Sequence, residues 1–333
     1  MSTHAVIQSQ IETLVEAWQW TEADHILNIR PLHHVHGLVN VLLCALWSGA
    51  CCEFARFDAA KTLNRLCEGE INLFMAVPTI YYKLIDHWRT LTATEQQKVY
   101  QALSQFRLMV SGSAALPVSV MERWQEISGQ RLLERYGMTE IGMAISNPYH
   151  GERRAGHIGH ALPRVAVRLV DDEFNEVANG ESGEILIKGP NVFQAYWNKP
   201  EATAAAFTAD GWFKTGDVAV LHDDSYRIMG RRSVDIIKSG GYKISALEIE
   251  EVLRSHPHIT DCAVVGLPDP EWDEIVAAGI VWNDHQQLGK EALTQWLKDR
   301  LPAYQVPRKF LSLDALPRNA MGKVTKPALK KLF

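Results

Sequence analysis

Two periodicities alternate along the first half of the chain. "FRLMVSGSA" (106–114) is a short apolar run ending in small residues. "PVSVMERWQEISG" (117–129) follows with a proline start, helical spacing and a glycine stop, and "QRLLERYG" (130–137) is another short apolar run. Strand, helix and strand joined by loops this short predict a right-handed βαβ unit and a parallel sheet. "INLFMAVPTIYYKLI" (71–85) predicts a further strand passing into a helix at Pro78. "GLVNVLLCALWSGACCEF" (37–54) predicts a buried helix running into a core strand. Asn40, Ser48, Gly49 and Glu53 interrupt it, leaving fewer than the ~20 apolar residues that a bilayer requires.

From about residue 160 the pattern becomes antiparallel. "AVRLVDDEFNEVANGESGEILIKG" (166–189) holds two alternating runs parted by Asn-Gly and Ser-Gly signals. Beyond Arg231 it changes again. Ser245 with Glu248 predicts a capping box, and Ile249, Val252 and Leu253 share the face of the helix it opens. "DCAVVGL" and "AAGIVW" read as strands and "EALTQWLKDRL" as a helix. The expected fold is α/β: a parallel-sheet large domain with an antiparallel β subdomain over 1–230, then a small α+β domain over 231–333. The latter, roughly 100 residues, is large enough to fold as a unit.

Composition narrows the function classes. The 333 residues carry a formal net charge of −5, so no basic surface argues for nucleic acid. Cys44, Cys51, Cys52, Cys67 and Cys262 have no CxxC spacing, which predicts a reduced, cytoplasmic protein. Residues 1–18 show neither a secretory nor an Arg-rich amphipathic pattern.

The candidate chemistry lies where predicted strands end, the usual ligand edge of a parallel sheet. "SGSAAL" (111–116) and "YGMTE" (136–140) end two strands linked by one helix. Ser111, Gly112 and Ser113 admit a flat ring close to the backbone, and Tyr136, ahead of Gly137, can stack on it. Thr139 can donate to a phosphate oxygen and Glu140 can ligate Mg²⁺; alternatively, both cap a helix starting at Ile141. Asp217 in "GWFKTGDVA" can accept from both hydroxyls of a ribose or close an Asx-turn. Arg231, Arg232 and Lys238 surround Gly240-Gly241, which suits phosphates and also describes a solvated hairpin. Lys323 follows Gly322 on a predicted turn and, taken alone, is an ordinary surface lysine. In "PLHHVHGL", His34 and His36 suit one strand face, where packing or substrate contact outweighs zinc binding.

The order of these stretches resembles the adenylate-forming acyl-CoA synthetases. The motifs are "PLHHVHG", "SGSAAL", "RYGMTE", "GWFKTGD", "GRRSVDIIKSGGYKISALEIE" and "PRNAMGK". Within that superfamily "RLMVSGSAALP" and "PLHHVHGLVN" look most like malonyl-CoA synthetases. The resemblance implies that a carboxylate attacks the α-phosphate of ATP to give an acyl-adenylate, and that CoA then displaces AMP. It implies Lys323, Thr139 and Glu140 (with Mg²⁺) as catalytic residues. Ser111, Gly112, Ser113, Tyr136, Gly137, Asp217 and Arg231 would hold the nucleotide, and Lys238, Ser239, Gly240 and Gly241 the CoA. For a dicarboxylate, Arg107 is the expected partner of the distal carboxylate, against a structural salt bridge as the alternative. His34, Val35 and Met143 would shape that pocket. The tail domain would swing about residues 231–235, where one extra residue leaves the hinge unassigned.

The Ser/Thr/Gly-rich phosphate loop of such enzymes has no counterpart in the chain, so the sequence is expected to start within a domain. A mis-assigned start, a partial gene and a remnant with another role are the three explanations. A separately encoded N-terminal half is the partner implied. The remaining alternatives are a synthetase for another short or medium-chain acid and an inactive nucleotide-binding remnant.

Overall fold

The structure, a computed structural model, describes residues 1–283, 287–319 and 323–333. Gly322, expected to form the turn before Lys323, lies outside the described residues. The chain divides into two compact units, one of residues 1–215 with 220–228 and one of residues 216–219 with 229–333.

The first unit is built on a seven-stranded sheet in the order β2-β1-β3-β4-β5-β6-β7. Its strands are β1 (His25–Asn28), β2 (Cys51–Phe54), β3 (Leu73–Ala76), β4 (Leu108–Gly112), β5 (Leu133–Met138), β6 (Gly142–Ser146) and β7 (His160–Ala161). Strands β1 to β5 run parallel, and β6 and β7 are antiparallel additions. The helix between β4 and β5, Val118–Ser128, ends at Gly129 with φ of 69°, so the glycine stop supplies the left-handed cap. Helix Pro78–Arg89 follows β3 with proline in its first turn. Trp124 and Phe74 both meet the Tyr81 ring edge-on, at 4.9 and 5.9 Å, and the Tyr81 hydroxyl donates to Val110 O at 2.9 Å. These contacts lock two helices onto the centre of the sheet.

The segment 37–54 departs from its expected burial. Its helix opens as a π-helix over His36–Leu43, continues as α-helix to Ser48 and stops at Gly49 in the left-handed region. It leads into β2, which ends the sheet and pairs only with β1 among the described strands. Leu46, Trp47 and Phe54 are therefore 65, 52 and 54% exposed, and the strand is an edge rather than a core strand.

A four-stranded sheet follows, in the order β11-β10-β9-β8, from β8 (Ala166–Val170), β9 (Ser182–Lys188), β10 (Phe213–His222) and β11 (Ser225–Arg231). Strands β8 and β9 are antiparallel.

In the second unit, β12 (Ile236–Ser239), β13 (Tyr242–Ser245), β14 (Ile259–Asp269), β15 (Asp273–Trp282) and β16 (Lys309–Ser312) make one sheet. The long β14–β15 ladder buries Ile237, Ile249, Leu253 and Val264 in one cluster and Val265, Leu267, Leu316 and Leu329 in a second. Strand alternation thus serves two cores from one pair of strands. Ser245 accepts from Glu248 N at 3.2 Å, the first half of the expected capping box, and opens helix Ala246–Arg254.

Candidate functional site

Strands β4 and β5 place two loops side by side, with Gly112 and Arg135 paired across the ladder. Ser111 is fully buried and its hydroxyl has no hydrogen-bond partner. Ser113 sits at φ of 69°, a left-handed conformation that costs a non-glycine residue energy and tends to persist at functional sites. That backbone brings Ser113 Oγ within 3.3 Å of both His36 Nδ1 and Arg135 Nη2.

The loop after β5 corrects one alternative. Thr139 and Glu140 do not cap a helix; they form the tip between β5 and antiparallel β6, with Met138 paired to Gly142. The turn needs glycine twice: Gly142 has φ of 56°, and a Cβ on Gly137 would lie 2.0 Å from Gly142 O. Met143 is buried, its Cε 2.6 Å from the same added Cβ, so it packs directly over Gly137. Thr139 is exposed. Glu140 Oε1 accepts from the Tyr196 hydroxyl at 3.0 Å. Glu140 offers carboxylate oxygens, the ligand type that a hard cation such as Mg²⁺ takes. No cluster of three metal-ligating side chains occurs among the described residues.

Arg107 is not part of this group. It precedes β4 at its amino end, and its Nε and Nη2 engage both oxygens of Asp24, the latter at 2.6 Å. Nη1 donates to Trp18 O at 2.9 Å, and the guanidinium lies over the Tyr149 ring. Asp24 is 2% exposed, so the pair is a buried structural salt bridge. The strand's polarity explains the correction, because the ligand edge lies at the other end of β4.

The residue the sequence reading missed is Arg135. It is 3% exposed, and its Nε has no partner. Burial pulls its pKa down to about 9, with repulsion from Arg30 adding to the shift and Glu134 opposing it. Burial also lowers Arg30, whose Nε is likewise buried without a partner. His36 is held neutral, far below the usual imidazole range, by burial first and then by Arg135, Arg30 and His34. Two guanidiniums, a hydroxyl and an imidazole thus converge with unmet donors, an arrangement that an anion would relieve. The signal was legible: Glu134-Arg135 puts two charges inside an otherwise apolar strand.

His34 and His36 do not share a strand face. His34 lies in the turn after β1, its ring 4.4 Å from that of His33, and His36 begins the π-helix. Val35, between them, is half-buried.

The second unit holds the remaining candidates. Asp217 Oδ1 accepts from Arg231 Nε at 3.0 Å. Lys238 and Ser239 end β12, and Gly240 and Gly241, with φ of 55° and 83°, form the two-residue turn into β13. Two consecutive left-handed positions match the type I′ hairpin turn. Lys323 is exposed, with Asn319 N donating to its carbonyl at 2.9 Å and its own N–H donating to Asn319 Oδ1 at 3.0 Å.

The family model of AMP-binding enzymes matches residues 1–197, and that of the AMP-binding enzyme C-terminal domain matches 248–323. The chain belongs to the AMP-binding enzyme family. Among relatives of this family, the malonate–CoA ligase ACSF3, mitochondrial, of Bos taurus is 48% identical over 98% of this chain and 60% of its own length. The Homo sapiens counterpart is 46% identical over 100% of this chain and 63% of its own, and the malonate–CoA ligase of Arabidopsis thaliana 44% over 99% and 57%. The chain therefore spans about three-fifths of the length of the curated relatives it matches. ATP-bound MatB from Rhodopseudomonas palustris superposes with a TM-score of 0.92 at 34% identity, covering all of this chain and 64% of that one. A malonyl-CoA ligase ternary product complex with methylmalonyl-CoA and AMP gives 0.65 at 40% identity, covering 96% and 68%. As an AMP-binding enzyme the chain has the mixed α/β architecture of this fold. No described helix is long and apolar enough to cross a membrane.

Proposed function

We propose that the chain carries most of an ATP-dependent malonate–CoA ligase, which forms an acyl-adenylate with release of pyrophosphate and then passes the acyl group to CoA. The observation that carries this reading is the buried, under-satisfied Arg135 beside Ser113, His36 and Arg30. Arg135 and Ser113 would receive the distal carboxylate, Arg30 and His36 would set the field around it, and His34, Val35 and Met143 would limit the substituent on the central carbon. A monocarboxylate would leave Arg135 buried and unpaired, which is how the site would discriminate.

The other carboxylate would then reach the α-phosphate. Attack brings two anions together, so electrostatic stabilisation dominates. In this reading Lys323 neutralises the α-phosphate and the attacking oxygen, and Thr139 donates to a phosphate oxygen. Tyr136 and Gly137 with the Ser111–Ser113 loop enclose the adenine, and Asp217 with Arg231 holds the ribose. Glu140 would hold Mg²⁺, which supplies charge neutralisation to the phosphates when bound. The Lys238–Gly241 turn would meet CoA after the 231–333 domain swings.

The relatives exceed the chain by more than a third of their length, and exposed Leu46 and Trp47 on the helix before β2, with Phe54 on the β2 edge, face outward. We infer that a segment equivalent to the remainder, in the same chain or encoded separately, covers them. We assign the protein to the cytoplasm on its thiol pattern; fractionation that finds it in mitochondria, as several relatives' names state, would reverse that.

The direct test is pyrophosphate release with ATP, CoA and a panel of malonate, methylmalonate, acetate and butyrate. Preference for the dicarboxylates by at least ~100-fold in kcat/KM is expected from one buried ion pair. Preference for a monocarboxylate would make the chain a synthetase for another acid. No turnover, with AMP still bound in calorimetry, would make it a binding remnant.

A further inference from the structure

Lys326 begins the last helix, Lys326–Lys330, three residues after Lys323. It is 7% exposed, and its ammonium contacts Asp235 Oδ1 at 2.5 Å and Glu250 Oε1 at 2.7 Å. Both carboxylates are tied further. Glu250, 3% exposed, accepts from Val264 N at 2.8 Å through Oε1 and from Arg254 Nη2 at 3.0 Å through Oε2. Asp235 Oδ2 accepts from Arg231 N at 2.9 Å, and Asp235 N donates back to Arg231 O at 2.7 Å. Arg231 in turn donates from Nε to Asp217.

On the other side, Thr325 N donates to Pro317 O at 2.8 Å, Val324 bridges Arg318, and Asn319 and Lys323 bond each other. Arg318 is itself paired with Asp261 on β14 at 2.5 Å. A continuous series of charged and backbone bonds therefore runs from Asp217 through the Arg231–Asp235 turn and Lys326 to the backbone of Lys323. A buried ammonium held by two carboxylates tolerates little displacement, because losing either partner strands a charge away from water.

We propose that Lys326 is a positioning residue that fixes the paired backbone of Pro317–Asn319 and Lys323–Thr325 to the Arg231–Asp235 turn, so that the two segments move as one piece. Its catalytic consequence rests on the ligase reading: the side chain that delivers Lys323 to the α-phosphate takes its register from the turn about which the domain swings. Neither segment needs to touch the other directly for this, since Lys326 spans them.

The test compares Lys326→Met, Lys326→Arg and Asp235→Asn in the full chain. Hydrogen exchange is read at the amides of Asn319, Lys323, Thr325, Arg231, Val234 and Asp235, with helix Lys290–Lys298 as the internal reference. Lys326→Met is expected to speed exchange at both segments at least tenfold and leave the reference helix unchanged. Asp235→Asn is expected to do so at least threefold, and Lys326→Arg to stay within threefold of wild type. Exchange that is unchanged, or faster uniformly across 229–333, would overturn the proposal, the second outcome marking a merely structural salt bridge. If Lys326→Met does not fold, Asp235→Asn, which keeps shape and the Glu250 contact, decides the same point.

Kinetics separates this from the ligase reading. Lys326→Met should slow malonate-dependent pyrophosphate release about 100-fold, while CoA transfer from separately prepared acyl-adenylate stays within threefold. Equal losses in both half-reactions would overturn the positioning role. A wild-type chain that releases no pyrophosphate would sink the ligase reading alone, leaving the exchange result to decide whether the two segments are coupled.

Discussion

Arg107 and Arg135 lie on neighbouring stretches of one sheet, yet their surroundings assign them opposite roles. Arg107 meets a full carboxylate, a carbonyl and an aromatic face, whereas Arg135 has one hydroxyl contact, the repulsion of Arg30 and only the partial opposing attraction of Glu134. Replacing Arg107 with Met should therefore cost about 3 kcal/mol of stability, because it leaves Asp24 buried and uncompensated, while malonate KM stays near wild type. Replacing Arg135 with Met should raise malonate KM on the order of 100-fold and leave the melting temperature equal or higher, since a buried cation with an unsatisfied Nε is removed. Thermal melts paired with malonate titrations check both. A loss of stability in Arg135→Met with unchanged KM would exchange the two assignments. Arg135 stands inside an apolar strand and Arg107 just ahead of one, yet position alone assigns neither its role; only the carboxylate that folding brings to Arg107 from 83 residues away separates them.

At the scale of elements, the β4–helix–β5 unit was legible because apolar period and glycine and proline punctuation agreed. The Thr139–Glu140 turn was not. A strand ending in Tyr-Gly with polar residues after it serves a helix cap and a hairpin equally well, and the choice fell to antiparallel β6, a pairing that local preference does not encode. The close approach at this turn makes a quantitative expectation. Gly137→Ala forces a Cβ into the Gly142 carbonyl and should destabilise by about 3 kcal/mol or more, as overpacking does, measured by urea unfolding. An alanine variant as stable as wild type would mean that the hairpin relaxes and the tight β5–β6 turn is not required. The helix over 36–48 was legible as a helix but not in its exposure, because burial depends on which side of β2 another strand stands.

Across the whole molecule, each unit carries its own hydrophobic clusters: among the described residues, one around Tyr81 and Trp124 and a smaller one of Val170, Leu186 and Trp212 in the first, and two on the faces of the β14–β15 ladder in the second. Denaturant unfolding should accordingly proceed in two steps rather than one, with Gly137→Ala shifting only one of them; a single coincident transition by fluorescence and circular dichroism would contradict it. Patterning by itself determined the α/β class, the switch to antiparallel and then α+β structure, and the succession of motifs, because periodicity, turn residues and motif order are local properties of the chain. Tertiary structure alone decided which charges are satisfied. Desolvation and pairing arise only when distant segments meet, and those two terms turned one arginine into scaffold and left another, in mid-strand, short of an anion.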